Sequence, residues 1–197
     1  MATTRVEPTL IIQCGNAKGG GQGEAQANAL YSGSLWQTFR QIRVQEGASF
    51  GITGGWPPER GSTKATAIED AVRRYPHRVL LQPHPSVNVY VLSAKYGLVY
   101  ETDTLRGYDH RLVKADVDAL AAYIQHQQER DANIAAHLQG SVFFVGSELY
   151  AAVLRSAGVG HVNIGRTDGV MDRRVNGIGA QRSALKRFLM EYTRETT

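Results

Sequence analysis

The chain has 197 residues, with 22 lysines and arginines against 18 aspartates and glutamates, a formal net charge of +4 with histidine counted neutral. At 42% apolar and 20% charged residues it has the composition of a folded domain, which excludes a disordered polymer, a collagen-like fibre and a bundle of membrane helices. A chain this long buries roughly 70% of the surface its unfolded form exposes, enough for one domain over 1–197 without disulfides or a structural metal.

Met1 to Pro8 lacks the apolar run of a secretory signal, and no apolar stretch approaches the ~20 residues that span a bilayer, so a cytoplasmic protein with no membrane partner is expected. Thr9 to Gln13 is a short apolar run that reads as a buried strand, followed at once by Cys14 and Gly15. Gly15 to Gly23 is too rich in glycine for a helix. A helical stretch is expected from Glu24 or Ala25. After Ser32-Gly33-Ser34 it resumes with Leu35, Phe39 and Ile42 on one face. Glu46 to Arg60 reads as a loop, and Ser62 or Thr63 can cap a helix ending near Arg74. The whole segment of about 46–85 looks like an insertion.

Val87 to Leu92 is the clearest strand, and it turns at Ser93-Ala-Lys-Tyr-Gly97. A long helix is expected from Ala115 to Leu138, with Val117, Leu120, Ala121 and Ile124 at helical spacing and Gly140 beyond its end. Ser141 to Val145 is a second buried strand, followed by a helix from Ser147 to Ala157 and a strand from Gly158 to Ile164. The last helix, Gly179 to Thr193, buries Leu185, Phe188, Leu189 and Tyr192. Strands alternate with helices and are nearly continuous in apolar residues, so the expected fold is α/β, with a mostly parallel sheet covered on both faces. Ligands of such sheets bind outside the carboxyl ends of the strands, here Cys14-Gly15, Ser93 to Gly97, Gly146-Ser147 and Gly165-Arg166.

Several residues at those ends can carry chemistry. The glycine loop invites a phosphate cradle, but it contains neither GxxxxGK[ST] nor a helix-opening GxGxxG, and a flexible loop beside a pocket fits it better. Cys14 at a strand end is either a nucleophile facing a pocket or a small buried hydrophobe. As the only cysteine it forms no internal disulfide, which suits a reducing cytosol. No CxxC or HxxxH spacing offers a metal site, and neither a metal nor a cofactor is expected. Lys95 can neutralise a phosphate or bind a carbonyl. Tyr96 or Tyr108 can stack on a base, and Asp109 can act as a general base or read a base edge. Against that stands a solvated lysine, packed tyrosines and an aspartate capping the turn. Basic residues crowd the last stretch, with Arg166, Arg173, Arg174, Arg182, Lys186, Arg187 and Arg194 against Asp168, Asp172 and Glu191. That surplus, in a chain of sequence pI about 9.3, attracts a phosphate backbone or simply solvates a helix face.

Leu10-Ile-Ile-Gln-Cys14-Gly-Asn-Ala-Lys18, Ala29-Leu-Tyr31-Ser-Gly33, Val91-Leu-Ser93-Ala-Lys95-Tyr96-Gly97-Leu-Val99, Tyr108-Asp109 and Gly177-Ile-Gly179-Ala-Gln181-Arg182 together resemble the YaaA-like group gathered as domain of unknown function 6884. The pattern is more distantly similar to the YaaA peroxide-stress family and to the lysine-transferring core of archaeosine synthase, which acts on a 7-deazaguanine base in tRNA. The resemblance implies a three-layer α/β/α Rossmann-like fold of the uracil-DNA-glycosylase type. It places pocket residues at Cys14, Lys18, Tyr31, Ser32, Ser93, Lys95, Tyr96, Gly97, Tyr108 and Asp109, with Gln181 and Arg182 from the last helix. Extra glycines follow Lys18, and no Pro-Tyr follows the motif lysine, so the resemblance reaches base or nucleotide recognition better than lysine transfer.

The expected function is processing of a purine-like or 7-deazaguanine-type base in nucleic acid or as a nucleotide, by altering a substituent or cutting the N-glycosidic bond. Cys14 would then be the nucleophile or a base contact, Lys95 and Arg182 would hold phosphate or carbonyl oxygen, Asp109 would move a proton, and Tyr31 or Tyr96 would stack. The alternatives are a non-catalytic DNA-binding stress-response protein and a free-nucleotide hydrolase. Nothing in the sequence assigns an oligomeric state.

Overall fold

In the computed structural model, residues 7–15, 23–48, 50–52, 63–165 and 177–194 are described. A five-stranded sheet runs through the centre in the order β6-β5-β1-β8-β9. Its strands are β1 (Thr9–Gln13), β5 (Asn88–Ser93), β6 (Gly97–Tyr100), β8 (Val142–Val145) and β9 (Val162–Asn163). β1 pairs in parallel with β5 and β8, and β8 with β9. Only β6, folded back by the turn after Ser93, is antiparallel. The register sets Gln13 opposite Leu92 and Ile12 opposite Val145, so the ends of the three inner strands are level.

Every residue of β5 is buried, which demands cover on both faces of the sheet. Two helix pairs are available for it: α2 (Ser34–Gln45) packs on α7 (Ile178–Arg194), and α4 (Val117–Arg130) packs on α6 (Glu148–Ser156). The architecture is mixed α/β and compatible with three layers, as the apolar strand runs predict. Among the described residues no helix is long and apolar enough to cross a membrane.

The structure differs from the sequence reading at several elements. Glu24–Gln26 is a strand, β2, before the short α1 (Ala27–Leu30), because it pairs with β7 (Thr104–Arg106) far along the chain. Phe50–Ile52 (β3) lies within the expected loop and pairs with β4 (Val79–Leu81). Between them, α3 (Lys64–Arg74) starts at Thr63, whose hydroxyl accepts the Thr66 N–H as the expected cap. The long helix breaks at Asp131, which leaves the α conformation and caps α5 (Ala132–Gln139) by accepting from Asn133 and Ile134 N–H. Finally, the strand expected from Gly158 to Ile164 shortens to Val162–Asn163.

Candidate active site

β1 ends at Gln13, yet the Cys14 N–H still donates to Leu92 O at 2.9 Å, so the thiol is held at the carboxyl edge of the sheet. Gln13 fixes that edge from two sides. Its carbonyl accepts the Trp36 indole N–H at 3.0 Å, and its side-chain oxygen accepts the Ser147 N–H at 2.6 Å. The loop before α2 comes close because two glycines meet there. A Cβ on Gly15 would approach Gly33 Cα to 2.8 Å, and one on Gly33 would approach Gly15 Cα to 2.9 Å. This contact brings Tyr31 and Ser32 to the end of β1.

Cys14 is buried, at 4% exposure, but its sulfur does not sit in hydrocarbon alone: Sγ lies 3.0 Å from the Tyr150 hydroxyl. Close by, Tyr108 joins two further hydroxyls, at 2.5 Å from Ser93 Oγ and 3.2 Å from the Tyr31 hydroxyl. Ser93 Oγ already accepts the N–H groups of Lys95 at 3.3 Å and Tyr96 at 3.1 Å. With both lone pairs used, its own proton goes to Tyr108, whose hydroxyl also shares a hydrogen bond with that of Tyr31. Burial pushes the Tyr31 phenol up to about 12, with the Ser93 and Tyr108 hydrogen bonds pulling the other way. Tyr108 and Tyr150 are pushed up further, by burial first and then by the neighbouring Cys14 sulfur. All three phenols therefore stay protonated at neutral pH and act as hydrogen-bond donors.

Lys95 brings a cation to these rings: its Nζ lies 5.2 Å from the Tyr96 ring centre and 5.6 Å from that of Tyr108, within cation–π range. The lysine is exposed and the two rings meet edge to face at 5.2 Å. Gly97 makes the turn that presents them. Its φ of +69° favours glycine, and a side chain there would collide with Gln127 and Tyr123 of α4. Gln127 clamps the turn by donating to Tyr96 O and Leu98 O while accepting the Leu98 N–H.

No protein-family model, curated protein or solved structure matches this chain. The placement of each residue therefore rests on geometry. Cys14, Tyr31, Ser93, Lys95, Tyr96 and Tyr108 come together at the ends of β1 and β5, and Ser32 lies in the adjoining loop. Tyr31 is fully buried against Trp36 and Tyr108, so it offers a hydroxyl but no face for a base to stack on. Tyr96 uses its hydroxyl on Arg106 O at 3.2 Å. Gly97 positions its neighbours, and Asp109 is exposed beside Tyr108. Lys18 lies outside the described residues, as do Arg166, Arg173 and Arg174.

The last helix does not join the thiol cluster. Gln181 donates to Gly146 O at 3.3 Å, and Arg182 Nε donates to Thr38 Oγ1 at 2.8 Å, which directs it along α2. Sequence reasoning missed Tyr150. The signal was present, since Tyr150 lies in the first turn of the helix that follows Gly146-Ser147, one of the expected strand ends. Among the described residues no group of three or more His, Cys, Asp or Glu side chains can hold a metal ion.

Proposed function

We propose that the protein is an enzyme that processes a purine-like or 7-deazaguanine-type base, in nucleic acid or as a nucleotide, by altering a substituent or cutting the N-glycosidic bond. One observation carries this reading: the Cys14 thiol stands against protonated phenols, with an exposed cation alongside, at the carboxyl edge of parallel strands. A heterocyclic base presents carbonyl oxygens and ring nitrogens, which are acceptors for the exposed Lys95 ammonium, while the Tyr150 hydroxyl faces the sulfur. Cys14 is the nucleophile toward an electrophilic ring or sugar carbon, and Tyr150 donates to the sulfur when it is ionised. Lys95 takes a phosphate or carbonyl oxygen. Asp109, exposed beside Tyr108, moves the proton at the rim.

The YaaA-like resemblance supports the same reading, because its motifs fall on Cys14, Tyr31, Ser93, Lys95, Tyr96 and Tyr108, and the uracil-DNA-glycosylase type of architecture it implies also handles bases. If the base starts in a duplex, extruding it costs a few kcal/mol, which contacts in the pocket must offset.

The test is incubation of the purified protein with native nucleic acids and a nucleotide panel, followed by mass spectrometry of all nucleosides and free bases. A new or missing mass is expected, and Cys14→Ala and Asp109→Asn abolish it while the far-UV spectrum stays unchanged. An unaltered panel, or undiminished turnover in Cys14→Ala, overturns the proposal.

A further inference from the structure

The seam between α2 and α7 is an open groove with a cavity of about 350 Å³. Thr38, Gln41 and Gln45 form one wall at helical spacing, and Arg182, Ser183 and Lys186 form the other. The Thr38 hydroxyl already donates to Ser34 O, but the other five side chains have hydrogen-bond donors to offer, two of them carry positive charge, and among the described residues no acidic side chain lines the groove. Arg182 is held in place by its bond to Thr38, while Lys186 is exposed one turn further along.

A second cavity of about 350 Å³ adjoins the same helices at their amino-terminal ends. It is lined by Ser34 and Trp36 of α2, Ile178 of α7, and Gln13 and Gly15. Gln13 and Gly15 are the residues on either side of Cys14, so this second cavity borders the chain segment that carries the thiol, and Ile178 beside Gly179 sets it next to the cationic groove. Cationic and neutral donors without carboxylates match the oxygens of a phosphate chain, which positions a ligand without reading its sequence.

We infer that the α2–α7 seam is the phosphate track of a single-stranded nucleic acid whose target base is presented at Cys14. The inference rests on the base-processing reading above and narrows its substrate from base or nucleotide to strand. A single strand fits better than a duplex, because its backbone can follow a groove while a base already free of its partner is presented without the cost of unpairing.

The test is fluorescence anisotropy of a labelled single-stranded dodecanucleotide across a salt series, with nucleoside monophosphate and anionic phospholipid vesicles as competitors. The wild-type protein binds the oligonucleotide with an affinity that falls with salt. Arg182→Gln and Lys186→Gln each lower the slope of log affinity against log salt by about 0.7, the share of one phosphate contact on a single strand. Lys114→Gln, an exposed lysine on the 3-10 turn before α4, leaves the slope unchanged. Lys186→Gln is the variant that keeps the test decisive if Arg182→Gln loosens the helix pair.

Absence of oligonucleotide binding overturns the inference. So does an unchanged slope in Lys186→Gln, an equal drop in Lys114→Gln, or competition by the monophosphate at the same phosphate concentration. Displacement by vesicles at equal phosphate would assign the groove to a lipid surface instead. Binding needs no turnover, so these outcomes separate from the Cys14→Ala result that decides the base-processing reading.

Discussion

Two of the places where the molecule buries polar groups are built on different electrostatic plans. Around Cys14 the groups are a thiol and hydroxyls, the phenols among them pushed up by burial, and they lead out to the exposed Lys95. Behind α2 two arginines, Arg40 and Arg43, bring formal charge among carboxyl groups and a histidine. Arg40, fully buried, makes a two-pronged pair with Glu69 of α3 at 2.8 and 2.7 Å and also donates to Asn28 O and Tyr31 O. Next to it, Arg43 donates to Glu46 at 3.3 Å and to Pro83 O at 3.0 Å, while buried Glu101 accepts the His84 N–H at 2.7 Å. The charged cluster ties the segment of residues 63–85 to α2 and to the turn after β6. The contrast shows that buried polarity by itself does not mark a reaction site. The charged cluster fastens segments together, whereas the hydroxyl cluster contains a nucleophile and opens toward an exposed cation.

If the charged cluster is a fastening, cutting it must cost stability. Arg40→Ala strands Glu69 and leaves two backbone carbonyls without their donor, and removal of one member of a buried pair costs about 3–5 kcal/mol. Denaturant unfolding reads this directly. A loss below about 1 kcal/mol would mean that the cluster holds nothing together.

The same cluster carries two opposed titrations. Burial raises Glu101 to about 7 from an ordinary 4.5, with the His84 N–H and Arg43 only partly offsetting it, so the folded protein holds this proton more tightly than the unfolded chain does. Its contribution is present at low pH and is lost as pH rises from about 4.5 through 7. His84 runs the other way: burial and then Arg43 lower it to about 4 from 6.5, so stability is lost as pH falls from about 6.5 through 4. Each is worth on the order of 3 kcal/mol, and between pH 4.5 and 6.5 they nearly cancel. The wild-type protein is therefore expected to show a flat stability profile in that window. Glu101→Gln makes stability climb with pH there, and His84→Gln makes it fall. Thermal melts across the window check both slopes, and parallel profiles in the two variants would refute the assignment.

The two regions also differed in how readily the sequence disclosed them. The inner strands were legible because Leu10 to Ile12, Val89 to Leu92 and Val142 to Val145 are unbroken apolar runs, and a level parallel sheet then puts Cys14 and the Ser93 to Gly97 turn on one edge. The pairs β2–β7 and β3–β4 were not legible, since three-residue strands carry no period and Glu24 finds its partner at Arg106. The break at Asp131 was hidden because no glycine or proline interrupts the chain from Ala115 to Leu138, so no residue there signals the end of a helix. The charged cluster stayed invisible for a similar reason: Arg40, Glu69, His84 and Glu101 meet only after four separate elements have packed. Arg182 was expected at the thiol but lines the α2–α7 seam, a choice decided by helix packing and not by its neighbours in sequence.

The finest test concerns the hydroxyl cluster itself and asks whether Tyr150 acts on the sulfur or merely packs against it. Tyr150→Phe keeps the ring and removes one hydroxyl whose partner, the 3.0 Å sulfur, is a weak acceptor, so the stability change is expected at or below about 1 kcal/mol. Packing alone would leave Cys14 chemically unaltered. Donation to the ionised sulfur makes a different demand, because losing the donor removes stabilisation from the thiolate while the neutral thiol is little affected. Alkylation of Cys14 by iodoacetamide near neutral pH should then slow several-fold in Tyr150→Phe. Tyr90→Phe, which loses a hydrogen bond to His137 away from the thiol, should leave that rate where it was. Equal rates in wild type and Tyr150→Phe would make Tyr150 a wall of the site, and the nucleophile would then have to be activated by the substrate complex.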